Sequence, residues 1–119
     1  MTQRDKILNY VAQAYDIKPD FPWKDSRYAV LRHHDTNKWF CLVMNVKQEH
    51  LGLKGDARVD ILNIKAQPEL VGSLRLNKGF LPAYHMNKEH WVTILLEGSV
   101  SIKEIRTLID TSYDLTKNN

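Results

Sequence analysis

The chain has 119 residues, 43% hydrophobic and 26% charged, with a formal net charge of +3. That length suits one hydrophobic core and one domain over residues 1–119, and the composition excludes intrinsic disorder. No apolar run approaches the ~18 residues of a membrane helix, the opening Met-Thr-Gln-Arg-Asp-Lys lacks the apolar stretch of a signal peptide, and the single Cys41 has no disulfide partner, so a cytoplasmic protein without a membrane partner is expected.

Thr2 is placed to cap a first helix, with Asp5 three residues on at the capping-box position. Ile7, Leu8, Val11, Ala14 and Tyr15 recur along one face of that helix. Pro19 and Pro22 end the pattern, and residues 19–23 read as an extended crossing onto a sheet. Two strands are expected over residues 27–34 and 39–46, joined as a hairpin by the turn-prone Asp35-Thr36-Asn37-Lys38. Residues 39–44 are apolar on both alternating faces, which suits a central strand. Gly52 and Gly55 break a polar loop over residues 47–58.

A third strand covers residues 59–65, with Leu62 and Ile64 on one face and Ile61 on the other. Pro68 suits the first turn of a short helix over residues 68–74. Residues 75–82 read as a loop and 83–86 as a short strand. Over residues 91–97 Val92, Ile94 and Leu96 point one way, and Trp91, Thr93 and Leu95 the other. Gly98 allows a turn; Ser101 caps a last helix, with Glu104 at the capping-box position. Ile102, Ile105, Leu108 and Ile109 form its buried stripe, which Tyr113 extends. The order α-β-β-β-α-β-β-α, with consecutive strands mostly linked as hairpins, predicts an α+β two-layer sandwich, an antiparallel sheet with helices packed on it.

The pattern N-K-x-H-W-x-T-I-x-L-x-G-S is carried by Asn87, Lys88, His90, Trp91, Thr93, Ile94, Leu96, Gly98 and Ser99. Followed by a helix ending in Ser112-Tyr113, it resembles the MmcQ/YjbR-like family of small bacterial proteins. Length and element order match over the whole chain. The resemblance implies the CyaY-like, or secretion-chaperone-like, fold. It also implies DNA binding through a "double wing" of β-hairpin loops, with no reaction and no cofactor.

The charges fit that expectation in part. Between residues 21 and 88 eleven Lys/Arg stand against six Asp/Glu, a basic middle that suits either an anionic partner or a solvated surface. Candidate contacts to nucleic acid are Arg32, His34, Asn37 and Lys38 at the hairpin tip, Lys54 and Arg58 in the longer loop, then Lys78, and lastly Asn87, Lys88, His90 and Trp91. Cations would meet phosphates, while His34, Asn37 and Trp91 would approach the backbone or stack. Asp35, Glu49, Asp56 and Asp60 oppose phosphate in the same loops, and no helix carries the Arg/Lys face of a major-groove reader. Weak, salt-sensitive and largely non-specific binding is therefore expected.

The histidines make no zinc frame, Cys41 sits in an apolar strand, and Glu97-Gly98-Ser99-Val100 lacks the second glycine of a nucleophile elbow. No catalytic residue, metal ligand or cofactor site is assigned. The rival reading is a non-enzymatic, chaperone-like module that holds a protein partner on its sheet face or edges. A third reading is a small-ligand pocket beneath the 85–91 loop. A monomer is expected, with dimerisation left open.

Overall fold

Thr2 closes a full capping box on helix α1 (Gln3–Tyr15): its hydroxyl accepts from Asp5 N–H, and the Asp5 carboxylate accepts from Thr2 N–H. The computed structural model describes residues 1–117. After α1 come strands β1 (Tyr28–Arg32), β2 (Trp39–Lys47) and β3 (Arg58–Lys65), helix α2 (Pro68–Leu74), strands β4 (Phe80–Pro82) and β5 (Trp91–Leu95), and helix α3 (Ile102–Thr116). A single 3-10 turn, Gln48–Leu51, folds up part of the loop between β2 and β3. The strands form one sheet in the order β1-β2-β3-β5-β4, every neighbouring pair antiparallel. The expected α-β-β-β-α-β-β-α sandwich is the fold observed.

Three local expectations are corrected. The fourth strand is Phe80–Pro82, within the stretch read as loop, and residues 83–86 are turn. Tyr84 N–H donates to the Thr93 hydroxyl and Tyr84 C=O accepts from Asn63 Nδ2, so side chains take the bonds a strand ladder would have used. His85, with φ at 58°, then turns the chain away. On α1, Ala14 is exposed, and the half-buried Tyr10 packs against the core instead. Ser101 caps α3 by accepting from Glu104 N–H, but among the described residues no reciprocal bond from the Glu104 side chain completes a box.

The sheet has unlike faces. On one, Ala29, Leu31, Val43, Leu62, Ile64, Val92 and Ile94 meet Ile7 and Val11 of α1 and Ile105 and Ile109 of α3, all without exposure to solvent. Each such aliphatic chain contributes about 1.5–3 kcal/mol. Ser112 pins α3 to the sheet, its hydroxyl donating to Phe40 C=O (2.6 Å) and accepting from Lys65 N–H (2.9 Å). Tyr10 and Tyr15 of α1 both donate to Asp110 Oδ1 of α3, at 2.7 and 2.5 Å.

On the other face Val30, Leu42, Met44, Val46 and Ile61 are covered by loops alone, through Leu51, Tyr84 and Met86. Along the outer side of β1, Asp20 exchanges both backbone hydrogen bonds with Val30 (2.8 Å each). The opposite border is β4, three residues long and ending in Pro82. Among the described residues no helix is long and apolar enough to cross a membrane.

Candidate functional site

The loop-covered face holds a groove of about 610 Å³. Leu42 and Met44 of β2 make its floor. Trp23, Tyr28 and Trp39 form one wall, and Tyr84, His85 and Met86 the other. The first wall exists because the 19–23 crossing bridges back to β1 and brings Trp23 over the sheet. Trp23 stands edge-on to Tyr28 (6.3 Å, 80°) and to Trp39 (5.8 Å, 85°). The second wall is stiffened by Tyr84 and His85, stacked at 4.0 Å and 15°.

Two guanidinium groups flank the aromatic wall. Arg27 lies over the Tyr28 ring at 5.9 Å and Arg32 over Trp39 at 5.5 Å. Both are paired, Arg27 with Asp25 and Arg32 with Asp20, each at 2.8 Å. The two-pronged hydrogen bond from Arg27 holds the Asp25 carboxyl down at about 2, so Asp25 lines the groove as a permanent anion. Among the described residues buried Arg32 Nε has no hydrogen-bond partner, and the Trp39 ring beneath the guanidinium partly compensates it. Among the described residues no ring stacks face to face on Trp23 and no guanidinium lies over it. It is 54% exposed.

The residues singled out from sequence fall into separate places. Arg32, His34 and Asn37 line a shallow cleft beside Lys18 and Asp20, where His34 Nε2 is bonded to Asp16 C=O (2.8 Å). Asn37, with φ at 62°, sits at the tip of the hairpin, and Lys38 follows it, half-buried. At the far end of β2, whose nine residues span about 30 Å, Arg58 opens β3 opposite Lys47 and Lys54 lies in the loop before it. Arg58 is spent on Asn45, donating to its side-chain and backbone oxygens at 2.6 and 2.7 Å.

Lys78 precedes β4, near Glu97, whose carboxyl is held below its usual range chiefly by hydrogen bonds from Ser99 and less by the Lys78 charge. Lys88 lines a second cleft with His50, Tyr84 and His85, so the loops before β3 and β5 meet there. Asn87 caps its own loop, Oδ1 accepting from Glu89 and His90 N–H. His90 C=O accepts from Ala66 N–H, and both His90 and Trp91 are half-buried. Neither lines the groove or the cleft beside Lys88, which the same loop enters through His85, Met86 and Lys88.

Sequence reasoning missed Trp23, Tyr28, Trp39 and Tyr84 as a group. The available signal was four rings placed outside the helical stripes. Among the described residues no three His, Cys, Asp or Glu side chains stand together as a metal site. Cys41 is buried, and burial pushes its thiol pKa far up, which leaves it inert as a nucleophile.

Comparison with known proteins matches the YjbR family model over residues 12–115. The Bacillus subtilis protein YyaQ is 47% identical over 118 residues, covering 98% of this chain and 100% of that one. Escherichia coli YjbR is 38% identical over 58 residues, 48% of this chain and 49% of that protein. A crystal structure of a Pseudomonas syringae protein, 52% identical, superimposes with a TM-score of 0.93 over 96% of this chain and 98% of that one. A Deinococcus radiodurans protein, 24% identical, shares the fold with a TM-score of 0.75 over 100% of this chain and 81% of that one.

Proposed function

The chain belongs to the YjbR family, and on that premise we propose that it binds nucleic acid, weakly and with little sequence preference, through the loops that border the open sheet face. The observation that carries the reading concerns lysines. Among the described residues Lys38, Lys54, Lys78 and Lys88 form no ion pair, whereas Arg27 and Arg32 are both committed to carboxylates. An unpaired surface lysine meets a phosphate without first giving up a partner, and the counterions released drive association.

The spread of these lysines limits the strength of the interaction. With about three phosphates met at once, log K should fall with log salt at a slope near −3. Fluorescence anisotropy of a labelled generic oligonucleotide across a salt series tests this. No binding at low salt, or a salt-independent signal, removes the reading. On this view the protein is a cytoplasmic monomer that performs no reaction and needs no cofactor.

The alternative, a module that holds a protein partner, is favoured by Phe21 and Trp23, 39% and 54% exposed on one segment. Capture of a defined protein that is lost in a Trp23→Ala variant supports that alternative instead.

A further inference from the structure

The groove and the cleft lined by Lys88 are neighbours, sharing Tyr84 and His85 in their linings. Phosphate-binding loops account for the cations but give no reason for an aromatic trough beside them. We propose that the groove receives an unpaired nucleobase, stacked against Trp23, so that the ligand of this face is single-stranded nucleic acid and not intact duplex. The inference rests on the nucleic-acid reading above and names its substrate class.

Three observations support it. The volume, about 610 Å³, falls within the ~300–1,000 Å³ of small-ligand clefts and exceeds what a single aliphatic side chain fills. The first wall offers an aromatic surface that remains open. Tyr28 and Trp39 each have a guanidinium over the ring, while among the described residues Trp23 has neither a cation over it nor a ring stacked face to face. A planar base stacks on such a face whatever its identity.

The charges then sort base from backbone. Asp25 lines the groove with its carboxylate taken up by Arg27, so it neither reads a base edge nor leaves Arg27 free to draw a phosphate into the trough. The unpaired cation lies outside: Lys88 is beyond the second wall, whereas Arg27 and Arg32 beside the first are held by Asp25 and Asp20. A strand whose bases turn inward and whose phosphates stay at the rim suits that placement. In a duplex the bases are stacked and paired, and reaching the groove would require breaking that arrangement.

The test compares a short mixed-sequence DNA oligonucleotide with the duplex formed from it and its complement, at one salt concentration, for the parent protein, Trp23→Ala and the remote Leu76→Ala. Trp23 and Leu76 are both exposed, so neither change threatens folding. The single strand should bind about tenfold or more tightly than the duplex and quench tryptophan emission. Trp23→Ala should remove about tenfold of single-strand affinity, on the scale of one lost base stack, with duplex affinity unchanged. Leu76→Ala should match the parent.

Equal or tighter duplex binding, or equal loss for both ligands in Trp23→Ala, overturns the stacking site and leaves the lysine reading standing. Failure of both ligands to bind at low salt overturns the nucleic-acid reading itself and the stacking site with it. A doubled mass in light scattering that reverts in Trp23→Ala would show the groove filled by a second copy of this chain, which also overturns the proposal.

Discussion

Two tyrosine hydroxyls, from Tyr10 and Tyr15, converge on one oxygen of Asp110 and so tie the first helix to the last. Burial, followed by that carboxylate, pushes Tyr10 up to about 12 and Tyr15 higher still. Asp110→Ala would leave two half-buried donors without an acceptor, a loss of about 2–3 kcal/mol, whereas Tyr10→Phe should cost about 1 kcal/mol; urea denaturation midpoints separate the two. His33 makes a second residue-scale prediction. It is buried against Phe40 and Tyr113, with Nε2 2.7 Å from Thr116 Oγ1. Thr116 gives its proton to Ser112 C=O, so His33 Nε2 is the donor in their hydrogen bond. Burial lowers its pKa from the ordinary 6.5. A depressed histidine pKa makes the unfolded chain the better proton acceptor, so stability should decline as pH falls below about 6.5. Thermal melts at pH ~7.5 and ~5.5 should show that decline, and His33→Gln should flatten it.

At the scale of elements, glycines give opposite forecasts. Gly79 has φ at 91°, and a Cβ there would meet Val100 Cγ2 at 2.7 Å and Ser99 Cβ at 3.1 Å. Gly79→Ala should destabilise by about 2–4 kcal/mol, combining backbone strain with a contact that the core resists. Gly72 lies within α2 with nothing in its way, and Gly72→Ala should stabilise by about 0.5–1 kcal/mol; melting temperatures of the pair check both signs. The helices and long strands were legible because their apolar periods and caps act over many residues. β4 was not, since Phe80-Leu81-Pro82 is too short to show a period and exists by pairing with β5. Residues 83–86 looked strand-like, yet the hydroxyl of Thr93 and the amide of Asn63 decide their path, and both are remote in sequence. The recognised motif was legible for a related reason. Thr93 donates to Asn63, while Asn87 closes its own loop. Ser112 bonds two strands, so much of what makes the family recognisable is architecture.

For the whole molecule, the candidate site was legible only as a roster of cations. Their partners, the roughly 30 Å between the hairpin tip and the β2–β3 loop, and the aromatic groove all depend on how the chain folds back. Lys54→Ala and Lys88→Ala together should weaken binding to any oligonucleotide and reduce the salt slope by about 2, while Lys103→Ala on α3 should change neither; anisotropy titrations at two salt concentrations suffice. Charge explains rim contacts, and the groove requires shape. The borders of the sheet carry a separate implication. Val30 already exchanges its outward backbone bonds with Asp20, and the other border offers three residues, one of them a proline without an N–H. A foreign strand would find few open donors and acceptors to extend. The molecule is thereby insulated against lateral, amyloid-type growth of its own sheet.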